Sequence, residues 1–242
     1  MQKIFHFGDS YGTIKYYDSN KIFCHHIADI IGFEFNTYAF GGLSNEIIFK
    51  KILDNLQYYN QGDILFINFS FLSRGCYYDK IKKEIKSTNT LYNEIYNNTI
   101  YNTRAYNKIL KQNEGVLSLV EYYLNNPIDY NFRLFGLINP VFQYLESKDV
   151  SIFYIFAEEA DYTDSLLDFG TNIKFKNGYV KWLLENGFHN EEDIHYSVGV
   201  QPMLADVILR KTNNLDKDCE SIIHITIEDV DYSKIEKPLK LL

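Results

Sequence analysis

With 242 residues, 46% hydrophobic and 23% charged, the chain suits one sizeable hydrophobic core and is not disordered. Its 24 Lys+Arg against 32 Asp+Glu leave a net charge of −8, which repels phosphate backbones and argues against a nucleic-acid partner. Three widely separated cysteines (Cys24, Cys76, Cys219) fit buried thiols better than a disulfide framework or a zinc site.

The chain opens on an apolar strand over residues 2–7, running into Gly8-Asp9-Ser10. That start has neither a signal core nor a cleavage site, and no apolar run reaches the ~18 residues of a membrane span. The expectation is a soluble cytoplasmic protein with no membrane partner. Ile22, Phe23, His26, Ile27, Ile30 and Ile31 recur at helix spacing, with Ser19 as the N-cap and Gly32 as the stop. Phe33 to Tyr38 reads as a second strand ending in Gly41-Gly42. Ser44 caps a helix whose stripe is Ile48, Ile52, Leu53, Leu56 and Tyr59. Ile64–Phe69 is apolar throughout, as a parallel strand covered on both faces requires.

Residues 76–132 break the rhythm and read as a helical insertion, one stripe being Leu117, Val120, Tyr123 and Leu124. A helix near Phe135–Leu145, disturbed by Pro140, leads to a strand at Ser151–Phe156. Residues 158–194 read as loop with a short helix near Tyr179–Leu184, and Gly199–Arg210 as a closing helix. A strand at Ile222–Ile227 falls in a C-terminal extension, about residues 215–242, that adds an edge strand. The alternation predicts a single α/β domain over residues 1–242 with a mainly parallel sheet and helices on both faces.

In such sheets ligands sit beyond the carboxyl ends of the strands. Those positions hold Gly8-Asp9-Ser10, then Gly41-Gly42-Leu43-Ser44-Asn45, then Ser70-Phe71-Leu72-Ser73-Arg74, with Glu192-Asp193-Ile194-His195 just before the last long helix. A serine on a tight turn needs a base to become nucleophilic. His195 can serve. Asp193, two residues earlier in an extended segment, or Glu192 if the loop turns, can orient its imidazole. Arg74 is either a surface charge or a clamp for an anionic substrate group. Of His25, His26 and Asp29 on one helix, His26 and Asp29 share a face, and two such ligands without a third do not make a metal site, so no metal is expected. No dinucleotide or phosphate-loop motif is present, and no cofactor is expected.

Phe7-Gly8-Asp9-Ser10, the Gly42-x-Ser44-Asn45 turn and Asp193-Ile194-His195-Tyr196-Ser197 together resemble the SGNH/GDSL hydrolase family, from residue 4 to about 210 without the insertion. The resemblance implies a three-layer α/β/α sandwich of flavodoxin-like type and acyl hydrolysis or transfer. It makes Ser10 the nucleophile, His195 and Asp193 the base and its orienter, and the N–H groups of Ser10 and Gly42 the oxyanion donors. The family's Gly-x-Asn-Asp turn after the third strand is absent: Leu72 stands where its asparagine belongs. Asn45 is preferred over Asn68 as a replacement donor. The implied partner is a small-molecule or glycan ester, with O-acetyl the guess for the acyl group. Alternatives are a glycan O-acyltransferase on the same residues and a lapsed carbohydrate-binding module.

Overall fold

The structure, a computed structural model, describes residues 1–9, 21–72, 74–79, 84–87, 126–190, 193–196 and 198–235. Of residues 77–79, 84–87, 127, 189–190, 193–196 and 198 only the backbone is described.

Six strands form one all-parallel sheet. In chain order they are β1 (Lys3–Gly8), β2 (Glu34–Thr37), β3 (Ile64–Phe69), β6 (Ser151–Phe156), β7 (Thr171–Phe175) and β10 (Ile222–Ile225). Their spatial order is β2-β1-β3-β6-β7-β10. Outside the sheet, Cys76–Asp79 (β4) pairs with Glu84–Ser87 (β5), and His189–Asn190 (β8) with Asp193–Tyr196 (β9), both antiparallel.

Alternation along the strands builds two cores. Ile4, Ile64, Phe66, Phe153 and Ile155 pack with α1 (Phe23–Ile31), α4 (Tyr179–Glu185) and α5 (Gln201–Lys211). Phe5, Phe7, Leu65, Ile67 and Phe69 pack with α2 (Asn45–Asp54) and α3 (Pro127–Ser147) on the other face. This is the expected α/β arrangement, with every residue of β3 buried.

Several boundaries differ from expectation, each for a local reason. Helix α1 starts only at Phe23, and Ile30 on its outer side is exposed while Cys24 and Ala28 are buried. It ends at Gly32, whose φ of 75° suits a residue without a Cβ. Ser19 lies outside the described residues. Ser44 does hold the N-cap position of α2, but its hydroxyl makes no cap bond. Pro140 does not interrupt α3: it sits exposed on the outer face of an unbroken 21-residue helix.

Two readings need correction. The segment beginning at residue 76 opens as the β4–β5 hairpin, not a helix; Leu117, Val120, Tyr123 and Leu124 lie outside the described residues. Strand β7 was hidden by its polar residues. Asn172 and Lys174 send their side chains to Asp164, and Lys174 also meets Glu159, so the polar heads are paired rather than solvated. The strand then pairs β6 on one side and β10 on the other, making β10 the edge expected of the C-terminal extension.

His6, in the middle of β1, is fully buried, and burial pushes its imidazole down to about 3. Its Nδ1 is 3.1 Å from Thr37 Oγ1, and its ring lies over Phe35. The unfolded chain takes up this proton near pH 6.5, whereas the folded protein does not until about pH 3. Its effect on stability therefore grows as pH falls through that window, at up to about 1.4 kcal/mol per pH unit. Urea titration should show wild type losing about 1 kcal/mol more than His6→Phe between pH 7 and 5.5. Equal losses would show that His6 carries no such linkage.

Candidate functional site

Strand β1 continues through α1 to β2 on one side, and the chain then returns through α2, on the opposite face, to β3 on the other side. The carboxyl ends of β1 and β3 therefore flank a topological switch point, where a crevice opens between diverging connections. Gly8 of β1 registers with Asn68 of β3. A Cβ on Gly8 would lie 2.9 Å from Asn68 Cβ, so the close strand approach at the site's floor requires glycine.

Beyond that floor lies a buried polar triangle. Arg74 Nη1 donates to Asp9 Oδ2 at 3.1 Å and to Ser70 Oγ at 2.9 Å, while Ser70 Oγ donates to Asp9 Oδ2 at 3.1 Å. The Asp9 side chain is 1% exposed and that of Arg74 17%. The guanidinium carbon lies 4.5 Å from the centre of the Phe71 ring, a cation–π contact. Arg74 is thus no surface charge. It is half of an enclosed ion pair joining the turn after β1 to the loop after β3.

The loop after β3 has its backbone held by side chains from several elements. Asn45, the first residue of α2, accepts from the Ser70 N–H at 2.7 Å and donates to the Ser70 carbonyl at 3.3 Å. Glu158, just past β6, accepts from the Leu72 N–H, and Asn131 of α3 donates to the Leu72 carbonyl at 3.0 Å. Glu46 accepts from the Cys76 N–H at 3.2 Å. Burial, then the Glu46 carboxylate, pushes the Cys76 thiol up to about 12, which makes it a poor nucleophile.

Of the residues singled out from sequence, Asn45 and Arg74 meet in this network through Ser70. Gly42 lies in the turn before α2 with φ 78°, a left-handed conformation that favours glycine. Asn68 is enclosed near the end of β3, and neither amide atom has a hydrogen-bond partner. His6 is close enough for Asn68 to raise its imidazole pKa somewhat against burial, but no bond of proper geometry joins them. Asn45 is therefore committed to the scaffold, whereas Asn68 is not.

Ser10 lies outside the described residues, as do Glu192 and the side chains of Asp193 and His195. The backbone of Asp193–Tyr196 is extended, the conformation that the two-residue spacing of Asp193 and His195 calls for. Ser70 and Glu158, each just past a strand, stand where the sequence places a pocket but gives them no role, and Glu46 and Asn131 are not candidates from the sequence at all. Nothing local marks these two helix residues as partners of the loop.

One more contact ties the two ends of the chain. Gln201, fully buried at the head of α5, accepts from the Phe23 N–H at 2.7 Å, capping α1 from across the fold. The heads of α1 and α5 are therefore joined directly.

His25 packs against Phe35 and Asp29 pairs with Lys21, so that helix surface is spoken for. Among the described residues no three His, Cys, Asp or Glu groups are placed to hold a metal ion, and no helix is long and apolar enough to cross a membrane. Comparison of the chain with protein-family profiles and with curated proteins finds no match, and what the structure shows is an α/β fold with a six-stranded, all-parallel sheet.

Proposed function

We propose that this protein is a serine ester hydrolase of the SGNH/GDSL kind, acting on small acyl esters such as O-acetyl groups on a glycan. The observation that supports the reading is the Gln201–Phe23 tie. It joins the head of α5, six positions after His195, to the head of α1, thirteen positions after Ser10, on a sheet whose first strand runs into the enclosed Asp9.

In this reading His195 takes the Ser10 proton as the hydroxyl oxygen attacks the acyl carbon, and Asp193 orients the imidazole. The oxyanion is held by the N–H groups of Ser10 and Gly42. The alcohol leaves with the proton from His195. Water then adds to the acyl carbon, gives its proton to the same base, and releases the acid as the proton returns to Ser10. Leu72 stands where the family has its asparagine, and Asn45, the preferred replacement, is committed to Ser70, so neither supplies the third oxyanion donor. Losing one such donor costs roughly 10²–10³ in turnover, and slow hydrolysis is the expectation.

The test is hydrolysis of a short-chain nitrophenyl ester by purified wild type and by folded Ser10→Ala and His195→Ala. Each variant should lose about 10³-fold or more. A near-normal rate in either would refute the assignment.

The committed Asn45 also favours a second reading, a lapsed module that binds a glycan without turnover. A wild type that binds O-acetylated glycan but releases no acetate would favour it.

A further inference from the structure

We propose that Arg74 is a positioning residue for the nucleophile turn, held to it from the loop that follows β3. The inference rests on the hydrolase reading. Its warrant is the closed triangle Arg74–Asp9–Ser70, whose Asp9 directly precedes Ser10 in the chain.

Three features set Arg74 apart from an ordinary ion-paired arginine. Its Nη1 spends its bonds on two acceptors that also bond each other, so moving any one of the three disturbs the other two. Its guanidinium plane is fixed against Phe71. Its own loop is immobilised by Asn45, Glu158, Asn131 and Glu46, which satisfy the backbone of Ser70, Leu72 and Cys76. The anchored residues of this loop therefore grip Asp9, just past β1, through the side chains of Arg74 and Ser70.

Charge among the described residues speaks against the competing role of an anion clamp. Asp9, Glu46 and Glu158 bring three carboxylates to this loop beside the Arg74 guanidinium, and that guanidinium is already paired with Asp9. The arginine is turned inward on Asp9, and its role is to hold the turn from which Ser10 attacks. Misplacing a reacting group by about 1 Å costs on the order of 10²-fold, and this is what the loss of Arg74 risks.

The experiment measures kcat and KM for a neutral nitrophenyl ester, and the rate constant for fluorophosphonate labelling. It uses wild type, Arg74→Lys and Arg74→Ala, with circular dichroism to confirm folding. Arg74→Ala should lose roughly 10- to 100-fold in kcat and in labelling, with KM little changed, and added methylguanidinium should restore part of both. Arg74→Lys should fall between, because an ammonium reaches Asp9 without the planar fork. Should Arg74→Ala fail to fold, the pair Asp9→Asn with Arg74→Met, which removes both charges of this ion pair together, carries the test and should show the same loss.

A folded variant that labels at the wild-type rate, or whose loss lies in KM alone, would overturn the positioning role and leave the Ser10 reading standing. Wild type that takes no label would overturn both.

Discussion

Asn45→Ala should destabilise the protein by roughly 2–6 kcal/mol, because it strips partners from two buried backbone groups at once. Ser70 is fully buried, its N–H donates to Asn45 Oδ1, and its carbonyl accepts from Asn45 Nδ2. Each buried group left without a partner costs about 1–3 kcal/mol. Asn45→Asp should not rescue the loss at neutral pH. It keeps the acceptor for the N–H but turns a carboxylate oxygen onto the Ser70 carbonyl. Urea denaturation checks both variants. The result also separates two roles for this residue: an oxyanion donor alone would leave stability unchanged when removed and lower only kcat.

Gly178→Ala should cost roughly 2–6 kcal/mol, the sum of overpacking at about 1–3 and backbone strain at about 1–3. Gly178 precedes α4 with φ 87° and ψ 158°, a region that is nearly exclusive to glycine. A Cβ there would sit 2.5 Å from Glu158 Cα and 2.6 Å from the Glu159 nitrogen, both backbone atoms that cannot swing aside. The damage should reach the site, because the segment pushed away carries the Glu158 carboxylate that holds Leu72. Against a typical total of about 5–15 kcal/mol, the loss would be plain in a denaturation midpoint. A shift within about 0.5 kcal/mol would mean that the two backbones can part without penalty.

What the sequence made legible follows from local physics. Strand β3 was readable because six consecutive buried residues leave no wet face, and the end of α1 because Gly32 takes a conformation that other residues avoid. Strand β7 was not readable, because Asn172 and Lys174 look solvated until Asp164 and Glu159 are brought beside them by the fold. The hairpin at residue 76 likewise carries no alternation strong enough to announce it.

The site divides the same way. The switch point was legible, since strand ends and glycine turns mark it. Its internal wiring was not. Arg74 read as a surface charge because its partner, Asp9, lies sixty-five positions away in the chain. Asn45 read as a free amide because nothing local shows that the Ser70 backbone would claim it.

The account stands on Ser10 being an activated nucleophile. The most direct measurement is fluorophosphonate labelling of the folded protein, followed by mass spectrometry of its peptides. The account predicts one adduct on the peptide containing Ser10, absent in Ser10→Ala and strongly slowed in His195→Ala. Native protein that takes no label, or takes it on another residue while Ser10 stays unmodified, would contradict it.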